Sequence, residues 1–379
     1  MLGRPITLFK IWEFEIKIDL SWLILAVLVT WSLAKGLFPE YYKNLPESSY
    51  WWMGAAGAVG LFLSIILHEL SHSIVARKSG MNIKGITLFI FGGVSQMEDE
   101  PPDSKTEFLM AAAGPLASIL IGIFMFLLYY WGQKSGWPIE ATGVFSYLAW
   151  INMLLAVFNL MPAFPLDGGR VLRSILWKWK KDLRWATNIS ARVGSGFGII
   201  MIILGIIVIF RGNFIGGMWW ILIGLFLRSA AQMSFQQLVA KEIFLAEKVR
   251  DLMVKNPLTV PRSITLEEFI HDYVYKHHFK MFPVISSGKL AGCISVKQAA
   301  AFPKADWSAH TVGEIMQPLS NETVVGPEED AFKALAIMNQ TGNSRLMVVD
   351  EGQLVGIIAL KDMFKLLSLK MAFNDVKQI

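Results

Sequence analysis

The sequence predicts an α-helical polytopic membrane bundle of six spans with a small β-hairpin, followed by an α+β pair of repeated domains. Three observations predict it. Residues 20 to about 232 hold six long apolar runs, the remainder reads as soluble protein, and that remainder repeats itself at an offset of 64 residues. The composition agrees: 54% of residues are apolar and only 17% charged, against roughly 25% charged in an ordinary soluble domain. Mean hydropathy is +0.47. A disordered chain and an ordinary cytosolic globule are excluded. Cys293 is the only cysteine, so no disulfide forms within the chain. A net charge of +5 suits lysines and arginines flanking membrane spans better than direct nucleic-acid binding. Arg4, Lys10, Glu13, Glu15 and Lys17 interrupt the N-terminus before any long apolar run, so no cleavable signal peptide is expected.

The expected spans lie near 20–38, 54–76, 108–131, 141–161, 193–210 and 212–231. The third and fourth contain no Asp, Glu, Lys or Arg. The last two meet at Arg211-Gly212-Asn213, a turn signal, and should form a tight helical hairpin. Loop charge sets the orientation. Segment 77–107 holds Arg77, Lys78, Lys84 and Lys105, and segment 167–186 holds Arg170, Arg173, Lys178, Lys180, Lys181 and Arg184. The opposite loops hold one basic residue each, so the basic loops and both termini are expected in the cytoplasm, with the bundle in the plasma membrane. Residues 79–98 are β-rich around Gly92-Gly93 and predict a hairpin. Bare strands cannot face lipid, so this one packs on protein, lines a cavity or lies at the membrane face.

The second span carries His68-Glu69-Leu70-Ser71-His72. Residues four apart share a helix face, so both imidazoles can reach one metal ion. Glu69 follows the first ligand directly and can reach a water at the metal without ligating it. That is the spacing of a zinc hydrolase. Ionisable groups at membrane depth are expensive, so three together point to function. A catalytic zinc takes three protein ligands. The other histidines, His271, His277, His278 and His310, all fall in the soluble half. The third ligand should therefore be a carboxylate near the same membrane face. Asp167 qualifies, because it follows the fourth span in Asn159-Leu160-Met161-Pro162-Ala163-Phe164-Pro165-Leu166-Asp167-Gly168. A helix N-cap before Gly168-Gly169 is the competing reading of Asp167.

These two motifs together resemble the site-2 protease family of intramembrane metalloproteases, over roughly residues 1–232. The resemblance implies one zinc per chain held by His68, His72 and Asp167, with Glu69 as general base. It also implies that Asn159 binds the substrate backbone or the oxyanion, and that Gly92 and Gly93 belong to an edge strand presenting substrate. Gly114-Pro115 matches a Gly-Pro that kinks the third span beside the site. The implied substrates are membrane proteins, typically transcription-factor precursors or anti-sigma-type inhibitors.

Beyond a linker at 233–248, residues 282–298 align with 346–362, and Val249–Met253 with Val312–Met316. The pattern resembles a tandem pair of CBS domains, 249–310 and 311–370. Such a pair implies adenine-nucleotide binding, ATP or AMP, and a homodimer. Asp362 matches the ribose-holding aspartate, while Gln298 replaces it in the first copy and Ala359 replaces a common Ser or Thr in the second. Two other functions compete: a CBS-regulated membrane transporter or channel, and an inactive relative that binds helices without cutting them.

Overall fold

The computed structural model describes residues 6–11, 14–81, 83–89, 92–97 and 100–376. The chain forms two compact units, Met1–Gln236 and Gln237–Ile379.

Among the described residues seven helices carry the first unit: α1 (Leu20–Ser32), α2 (Glu47–Lys78), α3 (Ser104–Lys134), α4 (Ile139–Asn159), α5 (Asp167–Lys180), α6 (Leu183–Phe210) and α7 (Phe214–Leu245). The first continues through a π-helical segment, Leu33–Leu37, and one more turn, Phe38–Tyr41. All but α5 are long and apolar enough to cross a membrane, one for each expected span. The helices outrun the apolar stretches because charges at their ends suit the helix dipole. Glu47 opens α2 and Arg77 and Lys78 close it. Asp103 caps α3, its carboxylate accepting from the Thr106 amide at 2.7 Å. One face of α3 is buried along Glu107, Met110, Gly114, Ser118 and Gly122, a helical three-and-four spacing. Through it α3 packs against α2, α4 and α5.

The hairpin of α6 and α7 turns at Gly212, whose φ is +91°. Asn213 Oδ1 accepts from the Gly216 amide at 2.9 Å. Its helices meet backbone to backbone. A Cβ on Gly198 would stand 2.6 Å from the Gly224 carbonyl oxygen, and one on Gly217 2.4 Å from that of Gly205. Small residues permit such close approach between apolar helices.

A four-stranded sheet completes the unit. It comprises β1 (Ile6–Ile11), β2 (Phe14–Ile18), β3 (Ile83–Phe89) and β4 (Gly92–Met97), in that order. The hairpin expected at Gly92-Gly93 is β3–β4, with Gly92 opposite Phe89. Its tip, residues 90 and 91, lies outside the described residues. The partnership with β1 and β2 was not anticipated; β2 pairs parallel to β3.

The second unit has a pair of four-stranded sheets. Their strands are β5 (Val254–Lys255), β6 (Val260–Pro261), β7 (Met281–Ser286), β8 (Lys289–Ser295), β9 (Gln317–Pro318), β10 (Val324–Val325), β11 (Arg345–Asp350) and β12 (Gln353–Ala359). The sheet orders are β6-β7-β8-β9 and β10-β11-β12-β5. Each repeat therefore lends its opening strand to the other's sheet. The repeat holds in detail. Phe282 faces Ile294 as Leu346 faces Ile358, and both hairpins bulge at the corresponding position. Both turns, Ser287-Gly288 and Glu351-Gly352, take positive φ at their two central residues, the two-residue type I′ geometry that matches strand twist. The region expected as a linker enters this core. Phe244, near the end of α7, is fully buried among Val249, Leu346 and Ile358. Cys293 is buried on β8, and burial pushes its thiol up to about 11, which leaves it inert at neutral pH.

Candidate metal centre

The centre is assembled from two helices that bear donors and a third that holds them. His68 and His72 lie one turn apart on α2, and their rings meet edge to face with centroids 4.9 Å apart. Asp167 is the first residue of α5. The N-cap position belongs to Leu166, with no side-chain cap bond, so the Asp167 carboxylate is not spent on capping. Instead Asp167 Oδ2 lies 3.1 Å from His68 Nε2 and 3.2 Å from His72 Nε2. Among the described residues this is the one group of three or more potential metal donors within 4.8 Å of one another.

The far sides of both rings are fixed by α3. His72 Nδ1 donates to the Met110 carbonyl at 2.6 Å. A carbonyl only accepts, so that nitrogen carries the proton, and in the neutral ring Nε2 presents a bare lone pair. His68 Nδ1 pairs with Ser118 Oγ at 2.9 Å. Between these two contacts lies Gly114. A Cβ there would fall 2.1 Å from His72 Nε2 and 2.6 Å from His68 Nε2. Gly114 thus matters for the room it leaves the imidazoles, a different reason from a kink.

The donor set fits a metal ion. In the neutral ring His72 Nε2 is an acceptor facing another acceptor, the Asp167 carboxylate, an arrangement that a cation between them, a metal ion or a proton, relieves. Ligand atoms each about 2 Å from a tetrahedral zinc stand roughly 3.3 Å apart, close to the distances found. Burial pushes the Asp167 carboxyl up, but when the imidazoles of His68 and His72 carry a proton towards it, their hydrogen bonds and charge outweigh burial and hold it well below the usual carboxylate range. It is ionised at neutral pH, the form in which a carboxylate can bind a metal.

Glu69 follows His68 on α2 and is half-buried. Asn159 ends α4, also half-buried. The turn after it is pressed against the start of α5: a Cβ on Gly168 would lie 2.2 Å from the Leu160 carbonyl oxygen. Asn159 and Asp167 are thereby held in one compact loop. Gly92 and Gly93 open β4, which lies at the end of the sheet and packs along α2. Asp362 stands in the first turn of α10 (Leu360–Val376), remote in sequence from the metal donors; α8 (Val249–Leu252) and α9 (Ala331–Thr341) precede it. Gln298 is engaged locally, its Oε1 accepting from the Ser295 amide and hydroxyl at 2.8 Å each. Sequence reasoning missed Met110 and Ser118. A backbone carbonyl leaves no trace in a sequence, and one serine in an apolar run is an unspecific signal.

The model of Peptidase family M50 matches residues 56–138 and 133–204, and that of the CBS domain matches 249–302 and 312–369. Rip3 of Mycobacterium tuberculosis is 33% identical over 364 residues, covering 96% of this chain and 92% of its own length. Zinc metalloprotease MJ0392 of Methanocaldococcus jannaschii is 32% identical over 378 residues, covering 99% of this chain and 100% of its own. A solved site-2 protease from Methanocaldococcus jannaschii is 34% identical, covering 61% of this chain and 94% of its own, with a TM-score of 0.41. Matched along nearly its whole length by relatives above 30% identity, the chain belongs to Peptidase family M50, the site-2 proteases, and carries a tandem pair of CBS domains after its membrane helices.

Proposed function

We propose that the chain is a zinc endopeptidase that cuts membrane proteins within or beside the bilayer, with Glu69 as its general base. The observation that carries this reading is the convergence of His68 Nε2 and His72 Nε2 on Asp167 Oδ2, at 3.1 and 3.2 Å, in a group whose ligand atoms all lie within 4.8 Å of one another. Bound there, zinc supplies a Lewis acid and lowers the pKa of water towards about 7. The chain supplies the rest. Glu69 takes a proton from the attacking water and returns it to the leaving amine. Asn159 donates its side-chain amide to the scissile carbonyl as charge develops there. The Gly92-Gly93 start of β4 accepts an unwound substrate segment by strand addition, since a helix hides its peptide bonds. The transport reading loses its motive, because the converging polar groups form a closed donor set and no path across the bilayer is needed to explain them.

Asp167→Ala tests the ligand set directly. Zinc affinity of the purified chain, read by competition with a chromophoric chelator, is expected to fall at least about 100-fold. Stoichiometric zinc at wild-type affinity would return Asp167 to a merely structural place.

The basic loops support an orientation with α5 and the CBS pair in the cytoplasm of a plasma-membrane protein. An enzyme reporter active only outside the cytoplasm should stay silent when fused after residue 184 or at the C-terminus; activity at either point reverses the orientation. The substrates in this reading are membrane-bound precursors of transcription regulators or their inhibitors.

The CBS pair binds one adenine nucleotide, through Asp362, and modulates cleavage. A carboxylate can accept from both ribose hydroxyls, whereas Gln298 already spends its amide oxygen on Ser295. Calorimetry on the purified chain should register ATP or AMP at a stoichiometry of one, lost in Asp362→Ala. Silence with both at millimolar concentration would leave the pair as a structural or dimerising module.

A further inference from the structure

Two turns before Gly114, α3 buries a second charged group. Glu107 is fully buried and receives the Arg173 guanidinium, whose Nε and Nη2 both stand 2.5 Å from Glu107 Oε1. Arg173 belongs to α5, the helix that opens with Asp167, and its side chain is 5% exposed. Its remaining contacts are also within this unit. Nη2 reaches Glu100 Oε2 at 3.2 Å, Nη1 reaches Thr187 Oγ1 at 3.5 Å, and the guanidinium stacks 5.2 Å from the Phe164 ring centroid. Phe164 sits in the loop that ends at Asp167. That loop is gripped on two further sides, since a Cβ on Gly169 or on Gly194 would fall 2.3–2.4 Å from Phe164 backbone atoms.

We infer that Glu107 and Arg173 are positioning residues for the metal centre, clamping α5 to α3 so that Asp167 meets the two histidines. The inference rests on the ligand reading above. Its basis is that α3 is the common reference for both donor helices. Met110 and Ser118 locate the α2 imidazoles, and Glu107, one turn before Met110, locates α5 through two guanidinium nitrogens that converge on its Oε1, Oε2 being buried without a hydrogen-bond partner. Two donors of the planar guanidinium fork on one buried acceptor restrict direction as well as distance. Sequence topology already explains a basic residue at 173, but not its burial against the one acid at the start of the third apolar helix. Groups that orient metal ligands from outside the coordination shell typically contribute 10–100-fold in metal affinity.

The test uses the full chain in detergent, with three readouts: zinc affinity by chelator competition, the visible spectrum of the cobalt-substituted protein, and thermal stability of the metal-free protein. Arg173→Met keeps side-chain length and removes the fork, but strands Glu107 as an unpaired buried charge. The pair Glu107→Gln with Arg173→Met removes both charges and decides the matter if the single variant does not fold. The pair is expected to keep metal-free stability near the wild type, lose about 10–100-fold in zinc affinity, and shift the cobalt absorption band. Zinc affinity within about twofold of wild type with an unchanged cobalt band would overturn the inference. Asp167→Ala separates the two claims. If it loses affinity while the paired variant does not, only the clamp fails; if it too keeps affinity, the ligand reading fails and the clamp with it.

Discussion

Glu69→Gln is expected to abolish cleavage, by about 10²–10⁴-fold in rate, the usual contribution of a positioned general base, while the purified variant still holds zinc through His68, His72 and Asp167. Glutamine has the size of glutamate and cannot take a proton from water. The measurement pairs co-expression with candidate single-span substrates against metal analysis of the same preparation. Cleavage near the wild-type rate would remove Glu69 from the mechanism. Loss of zinc together with activity would mean that the residue serves the site's architecture instead.

Gly114→Ala is the second change with a large expected effect, and local propensity predicts the opposite sign. In a helix interior alanine is favoured over glycine by about 1 kcal/mol, so by α3 alone the substitution should help. The added methyl would lie 2.1 Å from His72 Nε2, and neither imidazole can retreat cheaply. Their opposite nitrogens are bonded to the Met110 carbonyl and Ser118, each bond contributing about 1 kcal/mol. Zinc affinity should fall by at least about 100-fold while helix content by circular dichroism is unchanged. Wild-type affinity in that variant would mean that the rings lie elsewhere when metal is bound.

Much of this was legible because it is written in local pattern. Hydropathy marks the six membrane helices, since the cost of exposing polar groups to lipid is high enough to purge them from long runs. The four-residue spacing of His68 and His72 is a helix-face statement, and Asp167 follows from which ends of the second and fourth spans share a membrane side. The 64-residue repeat reappears down to its turns and bulges. What escaped is non-local. Phe14-Glu15-Ile16-Lys17-Ile18 alternates as a strand should, but five residues are a weak signal, and their partner β3 lies beyond two intervening helices. Arg173 carries a charge that topology accounts for adequately in a loop, so nothing in the sequence marked it as buried against Glu107. Gly114 drew notice for the proline beside it, while its effect comes from the histidines across from it.

The exchange of opening strands between the CBS repeats bears on how this protein is made. Val254 pairs with Ile357 and Gln317 with Cys293. At about 5–20 residues per second of synthesis, β5 leaves the ribosome roughly 5–20 s before its partner β12 exists. The first repeat can close its own sheet once β9 emerges, but β5 waits as an unpaired edge until β12, the last of the described strands, is translated. Premature termination anywhere before residue 357 therefore leaves an open strand as well as a missing repeat. For the same reason, loss of either copy alone would strip one edge strand from the sheet of the other.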